Sequence, residues 1–274
     1  MEFRVIHTGK NSAFTNMAID EAILTHCQIP TLRLYQWQPS ISIGYNQDAN
    51  NEININKSKR YKIPIVRRIT GGKAILHDKE LTYSFILPQD SLSLPQSIAE
   101  SYRIIAKALV NAFGIIGIKA ELKKQPEKIS TPICFNSSNW YELLVNNKKI
   151  SGSAQRRLNG MILQHGSLLI DFDYEKNASL FKSSQIIDNT ESLKKRITSI
   201  KKELNKDISY KELAAAVILG FQRNFNMQYY NDPLTHEELK LANKLSHEKY
   251  STDSWNLSKN DATKTEKLIN TLNF

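Results

Sequence analysis

At about Asp171 the apolar residues of this 274-residue chain change their period, and that change restricts what the chain can fold into. Before it, short alternating runs dominate. Leu32–Trp37, Ile41–Tyr45, Ile63–Arg68 and Leu81–Leu87 read as strands, as do Ile115–Glu121, Trp140–Val145, Lys148–Ala154 and Met161–Asp171. Gln38-Pro39-Ser40 turns the chain between the first two, Asn146-Asn147 suits a tight hairpin, and Gly166 predicts a bend. Asn46–Lys59 is polar and irregular, with an Ile53/Ile55 alternation that suggests a segment folded over a site.

Two helices interrupt the strands. Thr15–Cys27 lacks Gly and Pro, and is read with Asp20 and Glu21 in an early turn, where the helix dipole favours acids. Ser97–Phe113 opens on the capping box Ser97-Ile98-Ala99-Glu100, carries Ile98, Tyr102, Ile105, Leu109 and Phe113 on one stripe, and can close at Gly114. Beyond Asp171, Ser209–Glu212 and Thr235–Glu238 are further capping boxes, the first leading into Leu213, Val217, Phe221 and Phe225. Strands first and helices grouped after them predict an α+β fold, a mixed β-sheet sandwich flanked by helices, and argue against a doubly wound sheet. The expected division is a main domain over 1–231, then a helical segment and polar tail over 232–274, anchored by Trp255 and fraying over its last residues.

Composition excludes several classes. With only Cys27 and Cys134, and no CxxC, neither a disulfide framework nor a zinc site is expected. No apolar run reaches the roughly 18 residues of a membrane helix, and MEFRVIHTGKNS lacks a signal-peptide core. A cytoplasmic location is therefore expected. The formal charge of +10 favours acidic partners. Lys and Arg are scattered and no basic-aromatic stacking surface is visible, so nucleic acid is not an expected partner.

The chemistry concentrates in Arg67–Ser84, RRITGGKAILHDKELTYS. Arg67 and Arg68 run into Gly71-Gly72, then Lys73, Ala74 and His77. Adjacent glycines permit positive φ and close backbone approach, and N–H groups beside cations suit an anion or a polarised carbonyl. The same pair between two alternating runs also signals a plain hairpin. Phosphate-loop, nucleophile-elbow, zinc-protease and dinucleotide motifs are absent. Cys134, in ICFNSSNWYEL, is either a reactive thiol in a polar loop or a buried filler. Lys149, fifteen residues on, is either a solvated hairpin lysine or the activator of that thiol; Gly152, Ser153 and Ala154 follow it directly. His165, before Gly166, is either a satisfied core group or a pocket residue. Cys27, at a helix end, reads as a small buried hydrophobe.

RRITGGKAILHDKELTYSF, then KISGSAQ about 65 residues later and LQHGSLLID, resembles the biotin/lipoate protein ligase and transferase family, from about Phe14 to about Asn256. The segment CFNSSNWYEL is most similar to the Gram-positive-type octanoyltransferases within it. That resemblance implies a ligase-like catalytic domain and octanoyl transfer from acyl carrier protein, through a thioester on Cys134, to a lysine of a lipoyl domain such as glycine-cleavage H protein. It gives Lys149 the role of lowering the thiol pKa. Arg67 through Lys73, with Ala74 and His77, and Gly152–Ala154 with His165 and Gly166, become walls and donors around the acyl carbonyl. No cofactor or metal is implied, and no membrane. An ATP- and Mg-dependent lipoate ligase is the alternative, as is an amidotransferase that moves octanoate between lipoyl domains.

Overall fold

The computed structural model describes residues 1–124, 141–182 and 190–258. Its elements in chain order begin with β1 (Glu2–Asn11), α1 (Ala13–His26), β2 (Thr31–Trp37), β3 (Ser40–Ile43), α2 (Ala49–Glu52) and α3 (Ile55–Arg60). There follow β4 (Ile65–Arg67), β5 (Ile75–His77), β6 (Glu80–Pro88), α4 (Ile98–Ile115), β7 (Glu121–Lys124), β8 (Tyr141–Val145), β9 (Lys148–Leu158) and β10 (Met161–Leu169). The chain then turns mostly helical, with α5 (Tyr174–Leu180), α6 (Thr190–Arg196), α7 (Ile200–Leu204) and α8 (Tyr210–Phe225). After β11 (Gln228–Asn231) come α9 (His236–Leu245), a π-helical turn at Ser246–Tyr250, and α10 (Asp253–Asn256).

Eight strands form one mixed sheet in the order β11-β1-β2-β6-β10-β9-β8-β7. Strand β1 runs parallel to β2 and β11, and the remaining neighbours are antiparallel. A second sheet, β4-β3-β5, lies beside it. Two-residue alternation decides which side chains meet which layer. On β6, Leu81, Tyr83, Phe85 and Leu87 enter the core beneath α4 and α8, alongside Leu109, Phe113, Val217 and Phe221. On the opposite face, Ile86 and Leu163 pack with α1 and α9 around Met17, Ile23, Ala242 and Leu245. A third core, around Ile41, Ile43 and Ile75, joins the small sheet to Phe172, Leu180 and Ile197. Thr82 and Ser84, out of phase with the apolar set, are left to build polar chemistry. Among the described residues, no helix is long and apolar enough to cross a membrane.

Several local expectations need correction. Helix α1 starts earlier than Thr15, capped by Ser12, so its first turn holds no acid and Asp20 lies mid-helix on the buried face. In α4, Ser97 caps the Glu100 N–H without the reciprocal half of the box, Ile98 is exposed, and Gly114 lies inside the helix. The helix therefore occupies the start of the expected strand Ile115–Glu121, and β7 begins only at Glu121. Strands β2 and β3 do turn at Gln38-Pro39, but they enter different sheets. The Asn46–Lys59 segment forms α2 and α3, and Ile53 is buried in the third core. Strand β10 keeps continuous register with β6 through Gly166, so that glycine does not mark a bend. Asn146 and Asn147 (φ 50° and 61°) make the predicted hairpin, and both later capping boxes are complete.

Candidate active site

A cleft with about 390 Å³ of empty space opens between the two sheets. One wall is β9–β10, contributing Gly152-Ser153-Ala154 and His165-Gly166-Ser167; the other holds Ser42, Arg68, Ile75 and His77. Met17, Tyr35, Trp37 and Thr82 complete the lining. Neither strand β4 nor β5 pairs with the other, since both pair with β3. The Gly-Gly loop is therefore a crossover at the cleft edge and not a hairpin turn.

The loop is held by close packing. Gly72 has φ +91°, and a Cβ there would sit 2.8 Å from Arg68 Nη2. A Cβ on Gly44 would lie 2.0 Å from the Gly72 carbonyl oxygen, so β3 and the loop touch through backbone alone. Gly71 and Gly72 shape the rim without lining the cleft, half-exposed Lys73 carries the loop outward, and Ala74 is buried in the third core.

The two adjacent arginines point opposite ways, as alternation requires. Arg68 turns into the cleft, donating to Ser42 Oγ (3.1 Å) and to the carbonyls of Gly71 (2.9 Å) and Lys73 (2.8 Å). Arg67 turns away and is fully buried. Its guanidinium donates to the carbonyls of Trp255 (2.7 Å), Tyr45 (2.9 Å) and Gln47, while its own N–H and C=O are held by Asn256 Oδ1 and the Trp255 indole. Burial pushes its pKa down to about 10, so it remains charged at neutral pH. Arg67 is thus a girder behind the loop, not part of the cleft wall.

Two histidines in the cleft each hold a carboxylate and a hydroxyl. His165 Nδ1 lies 3.0 Å from Asp20 Oδ2, and its Nε2 lies 2.7 Å from Thr70 Oγ1. Burial lowers the His165 pKa, the Asp20 contact opposing it, so the ring is neutral, donating to Asp20 and accepting from Thr70. Asp20 also binds Arg33 (2.6 Å), Ser84 (2.6 Å) and the Tyr35 hydroxyl (3.0 Å). Burial would raise its pKa, but Arg33, His165 and Ser84 together bring the net shift below the usual carboxylate range. The second set is His77, with Nδ1 2.6 Å from Glu80 Oε1 and Nε2 2.8 Å from Ser42 Oγ. Its ring stacks on Trp37 at 3.9 Å.

Lys149 is not a solvated hairpin residue. It is 2% exposed, and its Nζ lies 2.9 Å from Glu142 Oε1. Strand β8 holds its backbone on one side, and on the other its carbonyl accepts from the Thr198 N–H. A Cβ on Gly152 would meet Lys149 Cε at 3.6 Å, which places the lysine stem beside a cleft-wall glycine. Cys134 lies outside the described residues. Cys27 is a buried filler whose thiol burial pushes to higher pKa. The described residues contain no cluster of His, Cys, Asp and Glu suited to a metal.

Gly166 fixes the wall spacing. An added Cβ would fall 2.2 Å from Ser153 Oγ and 2.6 Å from the Gly152 carbonyl oxygen. Gly166→Ala is therefore expected to cost about 1–3 kcal/mol through overpacking. Thermal unfolding compared with wild type checks this, and an unchanged Tm would contradict it.

Ser42, Glu80, Asp20 and Thr70 were not singled out from the sequence as site residues. A signal existed for Asp20, which lies three and four residues from Met17, Ile23 and Leu24 on one helical face. Glu80, in the run HDKE, carried no comparable signal.

Residues 12–222 match the family Lipoyl protein ligase A/B catalytic domain. Octanoyltransferase LipM of Brevibacillus brevis is 40% identical, the alignment covering 93% of this chain and 99% of that protein. Octanoyltransferase LipM of Bacillus subtilis is 36% identical, covering 93% and 97%. A solved structure of lipoate-protein ligase A bound with ATP superposes with a TM-score of 0.81 at 28% identity, covering 94% of this chain and 99% of that one. A bi-partite lipoate protein ligase from Thermoplasma acidophilum gives 0.77 at 28% identity, covering 93% and 95%. The chain belongs to the lipoyl protein ligase A/B catalytic-domain family. Within it, the two relatives at 36–40% identity are octanoyltransferases.

Proposed function

We propose that this chain is a protein octanoyltransferase of lipoate biosynthesis, moving octanoate from acyl carrier protein through a Cys134 thioester to a lysine of a lipoyl domain. The observation that carries the reading is Lys149, a buried ammonium set against Glu142 beside the Gly152 wall of the cleft. A lysine is rarely placed there for solvation, and a fixed positive charge is what a thiol needs to react as thiolate. The octanoyltransferase relatives, aligned over nearly the whole chain, support the same reading.

In the first step the Cys134 thiolate attacks the donor thioester carbonyl; a new C–S bond forms, the old one breaks, and the carrier thiol leaves. In the second an acceptor lysine amine attacks the enzyme thioester, forming an amide and releasing the Cys134 thiolate. Donors at Arg68 and the cleft backbone stabilise the oxyanion in both steps. No cofactor takes part. The net charge of +10 favours an acidic carrier, and the acceptor is a lipoyl domain such as that of glycine-cleavage H protein.

The test is intact mass after mixing the protein with octanoyl–acyl carrier protein without ATP. A single octanoyl adduct is expected on wild type and none on Cys134→Ala, with discharge by an apo lipoyl domain. No adduct, but lipoyl-domain modification with ATP and free lipoate, would establish a ligase instead. Loading only from an octanoylated lipoyl domain would establish the amidotransferase.

A further inference from the structure

We propose that His77, oriented by Glu80 and reaching the cleft through the Ser42 hydroxyl, receives the proton that the acceptor amine gives up when it attacks the acyl-enzyme. This rests on the octanoyltransferase reading, and assigns a role that Lys149 and Cys134 leave open. Aminolysis of a thioester by a neutral amine forms an N–C bond, breaks a C–S bond, expels thiolate, and leaves one surplus proton on nitrogen. A group in the cleft must take it.

Among the described residues, the titratable side chains lining the cleft are Tyr35, Arg68, His77 and His165. A guanidinium has no lone pair to offer. The Tyr35 hydroxyl donates to Asp20, and burial raises its pKa well above the usual value. His165 faces a carboxylate already matched by the Arg33 cation, and its Nε2 is held by Thr70, which does not line the cleft. Protonating it would add an unmatched charge in the interior.

His77 differs on each count. Its carboxylate, Glu80, is 1% exposed and has no Arg or Lys partner among the described residues. Three donors, His77 Nδ1, Thr82 Oγ1 (2.7 Å) and Ser167 Oγ (2.6 Å), converge on Glu80 Oε1, while Oε2 has none. An imidazolium at His77 supplies the positive charge that this carboxylate lacks. With Nδ1–H committed to Glu80, Nε2 is left as the acceptor, and the Ser42 O–H points to it across 2.8 Å.

Other neighbours bear on the same ring. Arg68 donates to Ser42 Oγ at 3.1 Å and brings a positive charge to the site, whereas the neutral His165 ring brings none. Asp78 is paired with Lys176, and Trp37 presents only a ring face. Glu80, in direct contact, is the dominant partner. The relay then balances: the amine proton passes to Ser42 Oγ as the Ser42 proton passes to His77 Nε2, and the imidazolium returns its proton to water.

The experiment is single-turnover discharge. Octanoyl-enzyme is prepared, freed of donor, mixed with apo lipoyl domain, and the loss of octanoyl mass is followed from pH 5 to 9. For wild type the rate is expected to rise with pH along an acidic limb. His77→Gln is expected to flatten that limb and slow discharge about 10²-fold, at least tenfold more than it slows loading. Glu80→Gln should slow discharge more than loading, because an imidazolium at His77 loses its counter-charge. Ser42→Ala, a smaller change, should slow discharge more than loading, and added imidazole should partly restore His77→Ala. Discharge of His77→Gln at the wild-type rate with the wild-type pH profile, or a Ser42→Ala variant whose discharge slows no more than its loading, would overturn the relay. Failure of wild type itself to load would overturn the octanoyltransferase reading, and the relay with it.

Discussion

Lys149→Met is expected to slow acyl loading about 10²–10³-fold at neutral pH while leaving the protein folded. Methionine keeps the stem that fills the space beside Gly152, and the freed carboxylate of Glu142, only 11% exposed in its side chain, lies near enough to the surface to regain water. On the proposed mechanism, what is lost is the charge that favours thiolate at Cys134. The defect should therefore shrink as pH rises, because alkaline solution ionises the thiol without help. Rapid-mix mass spectrometry of adduct formation between pH 6 and 9 measures both features. A variant that loads at the wild-type rate at pH 7 would remove Lys149 from the chemistry. Lys149→Arg is not a rescue, since a planar guanidinium does not fit where a single ammonium meets one carboxylate oxygen at 2.9 Å.

Arg67→Leu is expected to be the most destabilising single substitution in the cleft region, at about 3–5 kcal/mol. The guanidinium satisfies carbonyls from the Gly44–Gln47 turn and from Trp255 and Asn256, all in the interior. Leucine fills volume but donates nothing, so those acceptors are left without partners or the turn must open to water. A fall in Tm of roughly 10 °C follows from that free energy for a domain of this size. A shift of under about 2 °C would mean that water or a neighbouring donor replaces the arginine. The Arg68→Leu change should separate from it, losing activity more than stability, since Arg68 lines the cleft.

The pair of arginines shows how far residue order carried. Strand alternation alone says that two successive residues face opposite ways, but not which faces the cleft. That is settled by Trp255 and Asn256, 188 and 189 residues further on, and no local pattern reports a contact at that range. Strands β2, β3, β4, β6, β8, β9 and β10, with α4, α8 and the Asn146-Asn147 hairpin, were legible because each is set by periodicity or by turn chemistry within a few residues, whereas β1, β5 and β11 were not. Element ends were less so: Gly114 reads as a stop signal, yet α4 continues past it. The cleft glycines and both histidines stood out because their spacing is unusual, whereas Ser42 and Asp20 look like ordinary strand and helix residues. Their roles arise only when β3, β6, β10 and α1 are brought together.

The grip of Trp255 and Asn256 on Arg67 also fixes an order of events in biosynthesis. The Gly44–Gln47 turn and the strand that carries Arg68 emerge early from the ribosome, but their shared anchor is among the last residues described. A nascent chain short of Trp255 can assemble the β-sheet and the core beneath α4 and α8, since those contacts lie within residues already made. It cannot close the turn behind the arginine loop. Closing so long a loop is entropically late, so the arginine wall of the cleft is set after the sheet has formed.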